Sequence, residues 1–247
     1  MKAYACKNKN EKIRLQSSSG GIFSLLAEQM LNEGGKVIGA SFDGLELKHI
    51  AIDNINDLHK LRGSKYLRSK VDYSLLTDKV LFSGTPCQMP INKHDYLLVD
   101  IVCHGTPKTE IFKEYCEKNN VKRINFRDKT KGWTNYQVCI NDEIREDFRN
   151  NEYMQMFLSD KYLNDSCYNC QFKNFKSTSD IQLGDFWGIG NEYPEFADNK
   201  GVSIVIVKTE KGEQYFNKIK PYMDYIEVDI NRAIKYNPSI IKASEKR

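Results

Sequence analysis

Residues 78–88, DKVLFSGTPCQ, and residues 95–107, DYLLVDIVCHGTP, repeat one design: an apolar run, then small residues and a proline, with a cysteine at the exit. Each run reads as a short buried strand bounded by turn residues. How the two strands pair decides the fold. As an antiparallel hairpin their carboxyl ends would lie at opposite edges, about 20 Å apart at about 3.3 Å per residue, and Cys87 and Cys103 could share nothing. A parallel pair brings the exits together, but such a connection normally takes about a dozen residues or more. QMPINKHD, residues 88–95, is shorter. The spacing therefore predicts an extended return over the sheet, or strands that are not neighbours.

Upstream, GGIFSLLAEQMLNEGG (20–35) spaces Ile22, Leu25, Leu26 and Met30 as one helical face and stops at Gly34-Gly35. KVIGASF (36–42) and LKHIAIDNI (47–55) follow as strands, then a short helix runs into a loop at Arg62-Gly63. Downstream, KTEIFKEYCEKNN (108–120) is helical, VKRINFRDK (121–129) and NYQVCIN (135–141) are strands, and NNEYMQMFLSDKYL (150–163) is helical again. DIQLGDFWGIG (180–190) is a strand ending in a glycine-framed loop, and Val202 to Val228 reads as strand, helix, strand. The alternation predicts an α/β fold, with α+β as its mixed variant: a central, mostly parallel sheet, flanking helices and a C-terminal strand-helix-strand layer. Residues 1–247 read as a single domain with a seam near 190–200, at NEYPEFADNK.

The 247 residues suffice for a substantial core, and the 11% aromatic and 28% charged content are those of a folded chain. No apolar run approaches the roughly 20 residues of a membrane span. The amino terminus, MKAYACKNKNEKIR, lacks the apolar segment of a secretory signal, so a cytoplasmic protein is expected. The charge of +4 arises from 37 basic and 33 acidic residues interspersed along the chain, which argues against a nucleic-acid stripe.

Seven cysteines in a reducing compartment point to metal ligation, catalysis or burial rather than a disulfide framework. LNDSCYNCQFK (163–173) sets Cys167 and Cys170 three positions apart, so that a short turn can aim both sulfurs at one point. Cys87 and Cys103 stand in loops with glycine and proline, which open the backbone and stiffen the turn. Cys139 lies in a strand, Cys116 in a helix and Cys6 near a loose terminus. Four thiolates from Cys87, Cys103, Cys167 and Cys170 would complete a [4Fe-4S] or a Zn²⁺ site. One close pair with two distant single cysteines suits separated cluster corners better than the two paired knuckles of zinc. A cysteine nucleophile, Cys87 or Cys103 with His94 or His104, is a third reading; His104 adjoins Cys103, and neighbours on extended backbone point opposite ways.

Seven motifs occur in order: SSSGGIFS (17–24), LRGSKY (61–66), FSGTPCQ (82–88), DIVCHGTP (100–107), NFRDKTKGW (125–133), SCYNCQFK (166–173) and SDIQLGDFWG (179–188). Together they resemble the coenzyme F420 hydrogenase/dehydrogenase beta-subunit family, from about Ser17 to Gly188. The resemblance implies a flavin- and iron-sulfur-dependent oxidoreductase, with Cys87, Cys103, Cys167 and Cys170 as ligands of a [4Fe-4S] cluster and FAD or FMN as flavin. It implies flavin contacts at Ser18, Ser19, Gly20 and Gly21, where the amides and helix N-terminus would receive a phosphate. Arg62, Gly63, Ser64, Lys65 and Tyr66, then Arg127, Lys129 and Trp133, and finally Asp185 and Trp187 complete that set. Relatives with an amino-terminal ferredoxin-like segment differ from this sequence, so a separate ferredoxin-like protein is the expected electron donor or acceptor, with a small molecule as substrate. The segment after GTPCQ is also shorter than in relatives. The alternative is a non-catalytic, zinc-stabilised structural or assembly module.

Overall fold

A computed structural model describes residues 1–91 and 96–246; His94 lies outside the described residues. The chain enters through strand β1 (Lys2–Asn8), helices α1 (Glu11–Gln16) and α2 (Ile22–Asn32), then strands β2 (Lys36–Asp43), β3 (Glu46–Ile52), β4 (Val80–Gly84) and β5 (Leu97–Ile101). Helix α3 (Thr109–Lys118) leads to a meander of β6 (Ile124–Asp128), β7 (Gln137–Ile140) and β8 (Ile144–Asp147), followed by helices α4 (Glu152–Leu158) and α5 (Asp165–Tyr168). The chain returns as β9 (Ile181–Asp185), α6 (Ile189–Glu192), β10 (Ser203–Val207), α7 (Glu210–Ile219), β11 (Met223–Val228) and α8 (Ile230–Ile234).

The main sheet has the order β11-β1-β10-β9-β5-β4-β2-β3. Its centre, β2, β4, β5 and β9, is parallel, and its margins are antiparallel. Strands β4 and β5 are direct parallel neighbours, with Leu81 opposite Leu97 and Gly84 opposite Asp100. This resolves the short-connection problem: β4 stops at Gly84, before Thr85-Pro86, so the return spans residues 85–96 and is long enough for a parallel crossover. The C-terminal strand-helix-strand unit extends this same sheet, β10 lying between β9 and β1. Cys6 corrects the expectation of a loose terminus: it is fully buried on β1, between β10 and β11.

The apolar patterning explains the layers. Helix α2 buries Ile22, Leu25, Leu26 and Met30 as one stripe, and α7 adds Phe216 and Ile219, against Tyr4, Val37, Leu81, Leu97, Val99, Ile181 and Val205 of the sheet. Between β5 and β9 the chain makes one long excursion, in which β6, β7 and β8 form a separate antiparallel sheet. Phe112 and Tyr115 of α3 and Tyr153, Met154 and Phe157 of α4 cover it, packing on Phe126, Val138 and Ile140. No helix among the described residues is long and apolar enough to cross a membrane.

One charged group lies inside the central sheet. Asp100, on β5, is fully buried; Ser177 Oγ donates to its Oδ2, while Asp100 Oδ1 and Gln182 Oε1 on neighbouring β9 have no partner. Burial raises this carboxyl's pKa from 3.8 to about 6, against the opposing Ser177 hydrogen bond and Lys208 charge. The folded chain therefore holds a proton that the unfolded chain releases, and the stability of the neutral form is present below about pH 4 and lost as pH rises through about 6. Asp100→Asn keeps a neutral group throughout. Urea midpoints measured from pH 4.5 to 8 should fall less in this variant, the difference reaching about 3 kcal/mol by pH 7.

Candidate functional site

The two cysteine exits open at the carboxyl edge of the parallel strands. Cys87 sits on a 3₁₀ turn, Pro86–Gln88, closed by a capping box between Thr85 and Gln88, and Cys103 lies two residues beyond β5. Cys167 is on α5, and Cys170 lies just past it. The Cys103 loop is sewn to the chain before α5: Pro107 bridges to Leu163, and Asn164 Nδ2 donates to the carbonyls of Thr106 (2.8 Å) and Pro107 (3.0 Å) and to Thr106 Oγ1 (3.1 Å). All four thiols share one electrostatic neighbourhood. Burial pushes the Cys103 thiol up to about 12; Lys173 opposes this, and Cys87, Cys167 and Cys170 each add to it. Arg68 donates to Cys87 Sγ at 3.5 Å, Thr85 Oγ1 lies 3.3 Å from the same sulfur, and Thr106 Oγ1 lies 3.8 Å from Cys167 Sγ. Among the described residues, no group of three or more His, Cys, Asp or Glu side chains is arranged to hold a single metal ion.

The second element of the site is a buried ion pair. Arg127 occupies a β-bulge of β6, between Asn125 and Asp128, pinned by Asn125 Oδ1 accepting from Arg127 N at 3.0 Å. The bulge lets Phe126, Arg127 and Asp128 all be buried in succession and redirects the guanidinium toward the main sheet. There Arg127 grips Asp185, at the end of β9, with two bonds of 3.0 and 3.1 Å. Two further bonds from its terminal nitrogens reach Tyr66 Oη and the Ser18 carbonyl, both at 3.1 Å, and its face lies 4.1 Å from the Tyr136 ring centre. Burial opposes this charge, but Asp185 and the Tyr66 and Tyr136 phenols outweigh it, so the guanidinium pKa is raised. Trp133 Nε1 donates to Asp185 Oδ1 at 2.9 Å, and the Trp133 ring stacks on Trp187 at 4.9 Å. The β5–β9 register pairs Ile101 with Leu183; two residues on stand Cys103 and Asp185, so thiol group and ion pair occupy adjacent strand ends.

Residues 3–75 match the family model described as coenzyme F420 hydrogenase/dehydrogenase, beta subunit N-terminus, and residues 77–231 match that of the same subunit's C terminus. The chain belongs to the coenzyme F420 hydrogenase/dehydrogenase beta-subunit family. Membership makes it an oxidoreductase subunit by family. No curated protein matches it. Among solved structures, a chain of the xenon-derivatized F420-reducing [NiFe] hydrogenase complex from Methanosarcina barkeri aligns with 97% of this chain and 88% of its own, at TM-score 0.67 and 19% identity. Likeness at that identity establishes the shared fold.

Within this beta-subunit fold the expected flavin contacts separate into two groups. Ser18, Ser64, Tyr66, Arg127, Trp133, Asp185 and Trp187 are drawn together; Ser18 Oγ accepts from both Ser64 N (2.7 Å) and Ser64 Oγ (2.8 Å). Arg62 reaches Ser24 Oγ at 3.0 Å, and exposed Gly63 makes the turn between them with φ 84°. Lys65 donates to the Leu61 and Arg62 carbonyls, and burial alone pushes its ammonium down to about 7. The other group has its polar donors engaged within the fold. The Gly20 amide donates to Ser203 Oγ at 2.9 Å, and a Cβ there would stand 2.3 Å from the Cys6 carbonyl, so this glycine serves close packing. Gly21 is buried with φ 81°, and Ser19 Oγ donates to the Val202 carbonyl. Lys129 spends its three donors on the carbonyls of Arg14, Ser19 and Lys200.

Sequence reasoning missed several residues. Ile101, the last residue of β5 and beyond its pairing with β4, is 44% exposed. Asn164, Thr106 and Lys173 stood inside the quoted motifs but were given no role there. His104 Nε2 lies 2.6 Å from Asp160 Oδ1 and its ring stands edge-on to Phe157, while the raised Cys103 thiol is the reverse of an activated nucleophile. Arg127→Met would leave the Asp185 carboxylate buried without its cation, a loss of about 3–5 kcal/mol. Urea denaturation at pH 7 should show it, with Arg127→Lys in between.

Proposed function

We propose that the chain is a flavin-dependent iron-sulfur oxidoreductase passing electrons between a ferredoxin-like partner and an organic two-electron substrate. In this reading Cys87, Cys103, Cys167 and Cys170 hold a [4Fe-4S] cluster, and FAD or FMN binds beside the arginine network. The observation that carries it is the convergence of four thiols from three separate segments on the carboxyl edge of the parallel strands, next to Asp185. Ligands of open α/β sheets collect at this edge.

The residues present fit both groups. A thiolate zinc site needs every sulfur about 2.3 Å from one point, whereas a cluster takes each thiolate on its own iron. The donor set is sulfur only, from one close pair and two single cysteines, which suits the second. Arg68 donates a hydrogen bond to Cys87, of the kind that tunes cluster thiolates. For the flavin, Arg127 Nε is a buried donor without a partner, burial lowers the Lys65 ammonium to about 7, a loss that a bound anion would oppose, and Ile101 is 44% exposed. Arg62, Lys65 and the Ser18 and Ser64 hydroxyls would receive phosphate, while Arg127, Tyr66 and Trp187 would border the ring. When bound, the cluster supplies one-electron exchange and the flavin two-electron chemistry. The protein's own residues hold the two groups on neighbouring strand ends and exclude water around Arg127. A redox partner agrees with the multi-subunit complex in which the similar solved chain is found.

Anaerobic purification, with assay of iron, sulfide and flavin, tests the reading. The wild-type chain should carry about four irons and one flavin per chain, as a [4Fe-4S] flavoprotein would. Cys167→Ser should lose the iron, and Cys139→Ser should keep it. Unchanged iron in Cys167→Ser would refute the ligand assignment. A wild-type chain that takes up neither iron nor flavin on reconstitution would refute the function.

A further inference from the structure

The segment after the last helix, residues 237–246, crosses back to the thiols. Asn174 N donates to the Ile240 carbonyl at 2.8 Å, and Ser244 Oγ donates to the His104 carbonyl at 3.0 Å. Lys246 lies 5.8 Å from the centre of the Tyr168 ring, on α5 between the paired cysteines. At the centre of these contacts is Lys173, three residues past Cys170. Its ammonium donates to the Cys103 carbonyl at 2.5 Å and to the Ser239 carbonyl at 2.7 Å. One side chain thus joins the turn of the cysteine pair, the Cys103 loop and the C-terminal strap. The turn it anchors is unusual: Asn174 and Phe175 have φ of 55° and 61°, a left-handed conformation costly for residues with a Cβ. Among the described residues no carboxylate forms an ion pair with Lys173, so its charge is uncompensated beside the sulfurs.

We propose that Lys173 is the positioning residue of the thiol site, tying the Cys103 loop to the C-terminal strap and holding an uncompensated positive charge over the cluster that the four cysteines bind. The tie concerns this chain alone; the charge rests on the cluster reading above. A cluster with four thiolates is anionic and becomes more so on reduction, so a fixed cation beside it favours the reduced form. The two roles separate by substitution. Lys173→Met removes both, Lys173→Gln keeps donors to the carbonyls without charge, and Lys173→Arg keeps both.

Two measurements test this on the full chain. In the iron-free protein, hydrogen exchange at the amides of Asn174 and of residues 240–242 should be at least tenfold faster in Lys173→Met and close to wild type in Lys173→Gln and Lys173→Arg. In the reconstituted protein, redox titration should show the reduced-to-oxidised ratio at fixed poise about tenfold lower in Lys173→Met and Lys173→Gln, about 59 mV for a one-electron couple, and unchanged in Lys173→Arg. Should Lys173→Met not fold, Lys173→Gln carries the charge test, and Lys173→Thr, too short to reach either carbonyl, replaces Lys173→Met in the exchange test of the tie. Equal exchange in Lys173→Met and wild type overturns the tie, and an unchanged potential in Lys173→Gln overturns the charge role. A wild-type chain that binds no iron overturns the cluster reading and leaves the exchange result standing.

Discussion

The architecture turns on one buried guanidinium. Arg127 leaves the small antiparallel sheet at a bulge and closes on Asp185, the last residue of β9 in the main sheet. The same group holds the Ser18 carbonyl from the loop before α2 and the Tyr66 hydroxyl from the loop after β3. Four segments distant in sequence therefore share one cation. A buried ion pair is a poor source of net stability, since desolvation offsets much of the attraction. Its effect here is geometric, since one guanidinium holds the Ser18 carbonyl, the Tyr66 hydroxyl and Asp185 all at hydrogen-bond distance.

The thiol group follows from a second constraint, the parallel pairing of β4, β5 and β9. Parallel neighbours deliver their exits to the same edge, so Cys87 and Cys103 emerge together and beside Asp185. Cys167 and Cys170 belong to a later part of the chain and come to this edge only because the excursion between β5 and β9 is stitched down. Asn164 binds the Thr106–Pro107 backbone, and Lys173 binds the Cys103 and Ser239 carbonyls. These are bonds to backbone groups, which set loop paths and leave the sulfurs free to act as ligands.

Much of this could be read in the residues themselves. The helical stripe of Ile22, Leu25, Leu26 and Met30, the apolar runs at 80–84 and 97–101 and the glycine-framed exits all became the elements they predict. Motif order alone singled out Ser18, Tyr66, Arg127 and Asp185 before any contact among them was known. The reading of the connection after Cys87 went astray by counting from the cysteine, whereas Thr85-Pro86 ends the strand at Gly84. Cys6 was misjudged because a strand near a terminus has no local sign of the partners that will flank it.

The residues by themselves determined the α/β class and the element order, because periodicity and turn chemistry act over a few neighbouring residues. Only the tertiary structure decided which donors remain available. Ser203 takes the Gly20 amide from 183 positions away, and Lys129 is consumed by the carbonyls of Arg14, Ser19 and Lys200. A polar group's freedom depends on every other polar group that folding brings within hydrogen-bond reach, and buried groups must be paired with whatever is there. That requirement has no local signature, so the glycine-serine loop gave no sign that its Gly20 amide would meet Ser203 where β1 and β10 approach closely.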